Sequence, residues 1–270
     1  MNNKIYCSTG TFIGRKNERN HRLVIEYGSK LNCDGFEINI FEDWYNNLDT
    51  VINDYKTNAI ICPVIHADRA IMADNIEEEK YFELWKLNCN FGAAIGASKI
   101  VVHAWGLPNS DKNPEIIYER CAKLLETANN HNLDLLVENI VCQYGSPLEH
   151  IEKLAHLYPE IGLVIDTCQA QFHAEMEQTC QSPIWKNGNV RHIHISEYIG
   201  GYKEWAAFGY NAGFPQPGKG DINYEMFFKH LKDINYTNTL TLEAPSIPQE
   251  EGVDVATLNE CLDFVRDGLN

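Results

Sequence analysis

Six short apolar runs in this chain each end on a side chain that can bind a metal or move a proton. Ile61-Cys62-Pro63-Val64-Ile65 closes on His66, Lys99-Ile100-Val101-Val102 on His103, and Leu135-Leu136-Val137 on Glu138. Gly162-Leu163-Val164-Ile165 closes on Asp166, Val190-Arg191-His192-Ile193 on His194, and Thr239-Leu240-Thr241-Leu242 on Glu243. Short β-branched runs at spacings of roughly 30–50 residues, with helical patterns between them, mark parallel βαβ units. Polar groups at the carboxyl ends of such strands converge on one face, and in a (β/α)8 barrel that face carries the active site. The pattern reads as an enzyme.

The expected strands are Ile5 to Thr9, Gly35 to Ile40, Ala59 to His66, Lys99 to His103, Asp134 to Glu138, Gly162 to Asp166, Val190 to Ile195 and Thr239 to Glu243. The clearest helical patterns are Arg22 to Leu31, Glu77 to Gly96, Pro114 to Asn130, Pro147 to Leu157, Tyr224 to Leu231 and Val255 to Val265. Pro114 and Pro147 suit a first helical turn, where a missing N–H does no harm. At 270 residues, with no break in composition, the chain is expected to form one α/β domain over residues 1–270. That domain is a TIM barrel of eight parallel strands ringed by helices, a fold of about 250 residues.

Parity along the strands tests this reading, because residues i and i+2 share a face. Val64 and His66, Val101 and His103, Leu136 and Glu138, Val164 and Asp166, His192 and His194, and Thr241 and Glu243 are expected to point into the barrel. The residues between them, Ile65, Val102, Val137, Ile165, Ile193 and Leu242, are all aliphatic and are expected to face the helices.

The formal net charge of −16 argues against nucleic acid as a partner, since phosphate binding is driven mainly by Lys and Arg. No apolar stretch approaches the ~20 residues of a membrane span. The nine cysteines are scattered without a CxxC pair, and Met1-Asn2-Asn3-Lys4 runs into the first strand without a signal-peptide core. These features predict reduced thiols and a cytoplasmic protein.

Glu138, Asp166, His194 and Glu243 are the leading constellation. Three carboxylates and one imidazole suit Mn²⁺ or Mg²⁺ better than a structural zinc, with Co²⁺ or Zn²⁺ compatible. Three acids crowded together without a cation would raise one another's pKa. His66 and His103 end adjacent strands and are expected to bind substrate hydroxyls or a second metal. His192, one pleat deeper, is expected behind the site, and Glu37 is either a substrate contact or a satisfied barrel acid. His21, His131, His150, His156 and His230 are expected at solvated helix edges. The long connection from Ser196 to Asp221 carries Tyr198, Tyr202, Trp205, Phe208, Tyr210 and Phe214 among glycines, and reads as a lid or a subunit contact. Gly213 to Lys219 has the spacing of a phosphate loop, but Gly220 stands where Ser or Thr should hold Mg²⁺. Cys168 has no evident activating partner and reads as a buried thiol.

Glu138-Asn139, Asp166-Thr167, His192-Ile193-His194-Ile195-Ser196-Glu197, Pro217-Gly218-Lys219-Gly220-Asp221-Ile222 and Leu242-Glu243 resemble the xylose isomerase-like TIM-barrel superfamily across essentially the whole chain. The resemblance implies one divalent metal held by Glu138, Asp166, His194 and Glu243. It also implies proton exchange by Glu138 and Glu243 through an enediolate of a small ketose or keto-polyol. His66, His103, Trp105, Gln169 and Lys219 become the expected substrate contacts, Lys219 for a terminal phosphate. Two departures bear on the substrate: Gln169 stands where many relatives have His, with His173 four residues on, and the loop after His194 offers Lys203 or Lys219 where epimerases tend to have Arg. A three-zinc site like that of endonuclease IV would lack three ligands. The expected activity is isomerase or epimerase. A dehydratase on the same site and a non-catalytic sugar-binding barrel are the alternatives, and a homo-oligomer is compatible with either.

Overall fold

All eight expected strands are present, and they pair in chain order. The computed structural model describes residues 2–73, 77–106, 110–199, 215–244 and 252–270. Strands β1 (Ile5–Ser8), β2 (Phe36–Asn39), β3 (Val64–His66), β4 (Lys99–His103), β5 (Asp134–Glu138), β6 (Gly162–Asp166), β7 (Val190–Ile195) and β8 (Thr239–Leu242) form a closed parallel barrel. β8 returns to β1 with Tyr6 opposite Thr241. Around it run α1 (Arg22–Tyr27), α2 (Leu48–Thr57), α3 (Glu78–Ile95), α4 (Pro114–Asn130), α5 (Pro147–Leu157), α6 (Thr167–Phe172), α7 (Met176–Gln181), α8 (Tyr224–Asp233) and α9 (Val255–Leu269).

The differences from expectation have local causes. β3 starts at Val64, not Ala59: Ala59 has φ +52°, Ile61 is exposed, and Pro63 has no N–H for a ladder. α1 tightens into a 3₁₀ turn at Gly28–Lys30. The sequence reading missed α2, which buries only Val51 and Tyr55, a stripe too narrow to show helical periodicity. It also missed α6 and α7, each six residues long.

Parity holds at every tested position. Ile65, Val102, Val137, Ile165, Ile193 and Leu242 belong to the large apolar layer between barrel and helices. Val64, Val101, Leu136 and Val164 form, with Tyr6, a separate cluster inside the barrel. A register shift between β6 and β7 sets Leu163 opposite Val190 but Val164 opposite His192. The bulge turns both His192 and His194 inward, so an apolar plug fills one side of the barrel interior and polar side chains the other. Among the described residues, no helix is long and apolar enough to cross a membrane.

Candidate active site

Glu138, Asp166, His194 and Glu243 converge at the carboxyl end of the barrel, each offering a ligand atom within 4.8 Å of the others. Consecutive strands β5 and β6 bring the first two, and β7 and the end of β8 bring the others. Polar residues one or two places after three of them, Asn139, Thr167 and Ser196, hold the cluster in shape. Asn139 ties β5 to β6, its Oδ1 accepting from Asp166 N at 2.6 Å and its Nδ2 donating to Asp166 O at 3.2 Å. The Asp166 carboxylate accepts from Gln169 N at 2.8 Å and from the Ser196 hydroxyl at 2.9 and 2.8 Å. Thr167 Oγ1 reaches Ser196 O at 2.6 Å, joining β6 to the end of β7.

The orientation of His194 decides what the cluster can hold. Its Nε2 lies 3.1 and 3.2 Å from the two carboxylate oxygens of Glu37, which is fully buried beneath it. Nε2 therefore donates to Glu37 and Nδ1 is turned toward the acids; burial would lower this imidazole, but Glu37, Glu243 and Glu138 raise it well above its ordinary value. Nδ1 is buried without a hydrogen-bond partner among the described residues, 3.5 Å from Glu138 Oε1 and 3.7 Å from Glu243 Oε2. A buried imidazole nitrogen facing three carboxylates, its far nitrogen bonded to a fourth, is the arrangement that orients a metal-binding histidine, a cation displacing the Nδ1 proton on binding. The donor set fits a divalent cation.

Crowding and burial set the electrostatics of these acids. Burial and the charges of Glu138 and Glu243 push Asp166 up to about 8. Burial raises Glu243 too, with His194 opposing. Burial would also raise Glu138, but the histidines around it, His194 foremost, hold it below the usual carboxylate range. Glu37 is likewise held well below that range, its burial outweighed by His194 and His192. A cation among these oxygens reverses the repulsion that raises Asp166 and Glu243.

His66 and His103 stand beside Glu138. His66 Nε2 is 3.1 Å from Glu138 Oε2, His103 Nε2 is 3.6 Å away, and the two rings meet edge to face with centroids 4.8 Å apart. His66 is raised to about 9: burial opposes, but its bond to Glu138 and the surrounding acids outweigh it. Burial lowers His103 to about 4. Both line, with Glu243, a cavity of about 800 Å³ at the barrel mouth.

Three expected substrate contacts fall elsewhere. Trp105 is 1% exposed, with its indole N–H donated to Val141 O at 2.9 Å and its ring against His150. Gln169 Oε1 accepts from Val141 N at 3.2 Å. Lys219 bonds the Gln216 side chain on the exterior, and none of the three lines the cavity. For Trp105 and Gln169, position just past a strand end did not fix the direction of the side chain. His173 Nε2 accepts from Cys142 N at 3.2 Å, so His173 and Gln169 together hold the segment after β5. His150, expected at a solvated edge, is buried between Tyr118 Oη (2.7 Å) and Tyr144 O (2.8 Å). His192 is fully buried among Thr239, Thr241 and Glu37. Burial raises the Cys168 thiol well above its ordinary value, as a buried thiol requires.

Glu197, to which the sequence reading gave no role, organises the Pro217–Ile222 turn. Its carboxylate accepts from Tyr198 N at 2.9 Å, Gly218 N at 2.8 Å and Ile222 N at 3.2 Å. Gly218 has φ +82°, and a Cβ on Gly220 would lie 2.5 Å from Glu197 Oε1. The glycines of that motif admit a buried carboxylate, not a phosphate. Tyr202, Trp205, Phe208 and Phe214, the expected lid, lie outside the described residues, as do Lys203 and the hinge glycines Gly200, Gly201, Gly209 and Gly213.

Residues 25–261 match the family described as xylose isomerase-like TIM barrel. The chain belongs to that family. A sequence comparison with curated proteins gave no match. Among solved xylose isomerase-like barrels it is similar to D-allulose 3-epimerase from Methylomonas sp., at 15% identity and TM-score 0.73 over 99% of this chain and 98% of that one. It is also similar to the 3-keto-D-glucoside 4-epimerase YcjR from E. coli, at 16% identity and TM-score 0.67 over 98% and 99% of the two chains. A third is the IOLI protein with a bound zinc atom, at 17% identity and TM-score 0.68 over 98% and 96%. At these identities the likeness is one of fold.

Proposed function

We propose that this chain is a divalent-metal-dependent isomerase or epimerase of a small ketose or keto-polyol. The observation that carries the reading is the buried, unpartnered His194 Nδ1 facing Glu138, Asp166 and Glu243 at the mouth of a closed barrel. Two of the solved relatives are named as epimerases of sugars or keto-sugars, which supports the substrate class. The same four residues would hold the metal, Mn²⁺ or Mg²⁺ by their oxygen-rich character, and the zinc atom of the IOLI protein shows that zinc belongs in the screen. When bound, the metal supplies a Lewis acid that lowers the pKa of a C–H beside the carbonyl.

The rest of the chemistry falls to the side chains. One of Glu138 and Glu243 takes the α-proton and the other returns one to the opposite face or the neighbouring carbon. Glu243 lines the cavity, while Glu138 is steadied by His66 and His103 from the side. The two histidines line the cavity beside Glu138, and substrate hydroxyls would meet them there.

The test is a solvent-deuterium exchange screen over ketoses and keto-inositols with added Mn²⁺, Mg²⁺ or Zn²⁺. Label at carbon 3 identifies an epimerase, label at carbon 1 or 2 an isomerase, and loss of water a dehydratase. Glu138→Gln and Glu243→Gln should each slow exchange by about 10²–10⁴-fold with the far-UV spectrum unchanged. A metal-loaded protein that exchanges no proton on any of these compounds would sink the proposal.

A further inference from the structure

The cavity has a second chemical pole. Besides Glu243, His66 and His103 it is lined by Arg15, Arg19 and Arg69, which come from the connections after β1 and β3. These are three of the chain's seven arginines, gathered in one cavity of a protein whose net charge is −16.

The other four arginines are engaged. Arg22 pairs with Asp54, Arg191 with Asp134 and Arg266 with Asp34, while Arg120 donates to the carbonyls of Ile71 and Ala73 over the Tyr81 ring. Within the cavity, Arg19 is held by Asp43 at 2.8 Å and lies 5.0 Å from the centroid of Phe41. Arg15 and Arg69 are different. Both are exposed, and among the described residues neither has a carboxylate within ion-pair distance. Three acids share the wall: Glu243 of the four-residue cluster, Glu42, and Asp68, which already accepts from Ala70 N at 2.9 Å. Open guanidinium forks in a concave site match a phosphate or carboxylate in two-point hydrogen bonding, which an ammonium does less well. At about 800 Å³ the cavity lies toward the upper end of the usual range of about 300–1,000 Å³ for ligand sites, with room beyond the reacting carbons.

We propose that the substrate carries an anionic group, a phosphate monoester or a carboxylate, at the end remote from the exchanging carbon, and that Arg15 and Arg69, flanked by Arg19, receive it. The inference rests on the isomerase or epimerase reading for the identity of the remainder of the molecule, but not for the anion pocket. It moves the anion contact from Lys219, outside the cavity, to the connections after β1 and β3.

The experiment has two arms. In the first, inorganic phosphate and acetate are titrated by calorimetry at low salt into the Mn²⁺-loaded protein and into the same protein in EDTA. In EDTA the Arg15→Ala/Arg69→Ala double variant should bind at least one of them tenfold or more weakly than the wild type, and Lys219→Ala should bind as the wild type does. Equal binding by the double variant and the wild type would overturn the proposal. In the second arm, α-proton exchange is compared between neutral ketoses, the same ketoses phosphorylated, and keto-acids of similar length. One anionic class should be preferred by tenfold or more in kcat/KM, and that preference should vanish in the double variant through KM, with kcat little changed. Which class is preferred distinguishes phosphate from carboxylate. Equal rates on neutral and anionic compounds, unchanged in the variant, would overturn the anion pocket and leave the isomerase reading standing. No exchange on any compound, with tenfold-weakened anion binding in the variant, would sink the isomerase reading and keep the pocket.

Discussion

Replacing Glu37 should weaken the metal site without touching any metal ligand. Glu37 is fully buried on β2, and its two oxygens share the Nε2–H of His194 at 3.1 and 3.2 Å while also meeting His192 Nε2 at 3.0 Å. A hydrogen bond to a charged group is worth about 1.5–3 kcal/mol and a neutral one about 0.5–1.5 kcal/mol. Glu37→Gln keeps the shape and an acceptor oxygen but loses the charge, so about 1–1.5 kcal/mol of support for His194 disappears. At about 1.4 kcal/mol per decade this is roughly a tenfold weaker Kd for Mn²⁺. Glu37→Leu removes the acceptor as well, frees His194 to turn or change tautomer, and should approach the ~100-fold loss typical of such supporting partners. Calorimetry on EDTA-stripped protein gives Kd, and the visible band of bound Co²⁺ reports ligand geometry independently of turnover. If both variants, folded by circular dichroism, bound Mn²⁺ within twofold of the wild type, Glu37 would be a core acid with no part in the site.

Ser196→Ala removes the hydroxyl that donates to both oxygens of Asp166, and should weaken Mn²⁺ binding by about tenfold or more in the same titration. Gly220→Ala places a Cβ 2.5 Å from Glu197 Oε1; urea unfolding should show a loss of about 1–3 kcal/mol, as for other overpacked sites. His173 is lowered by burial to about 4 and accepts from Cys142 N as a neutral ring. Its folded pKa lies below its unfolded value, so its contribution is present above about 6.5 and is lost as pH falls toward 4. His173→Gln, which keeps an acceptor but cannot be protonated, should flatten the decline in thermal midpoint between pH 6.5 and 4, and an unaltered pH profile would refute the assignment.

Strand positions and parity were legible in the sequence because both depend on local pattern. β4, β5, β6 and β7 lie at the bounds read from their apolar runs. The convergence of Glu138, Asp166, His194 and Glu243 followed from the closure of the barrel, since inward-facing residues at equivalent strand ends have nowhere else to go. What escaped the sequence depends on contacts across the barrel or on loop direction. Glu37 meets His194 from a strand 157 positions away in sequence, and no periodicity signals which inward residues touch across the interior. Arg15 and Arg69 lie on short 3₁₀ turns, where no repeat fixes orientation, so their shared cavity could not be read. Trp105, Gln169 and Lys219 stand outside the cavity lining, and for Trp105, two residues past β4, the backbone direction has already changed.

The longer motifs that carry the family resemblance have a physical division of labour. The first residue of each pair, Glu138 or Asp166, faces the centre, and the second, Asn139 or Thr167, bonds the neighbouring strand. In the strand-7 motif, His194 faces the centre, Ser196 returns to Asp166, and Glu197 reaches outward to hold the Gly218–Ile222 backbone. A polar residue placed after a ligand thus sets the distance between that ligand and the next one around the ring. Before a cation arrives, the proton that Asp166 keeps up to about 8 eases the repulsion among the three acids, and the bonds from residues beside the ligands in sequence hold the carboxylates in place. Variants at Asn139 or Thr167 should therefore loosen the site more than their distance from the cavity suggests.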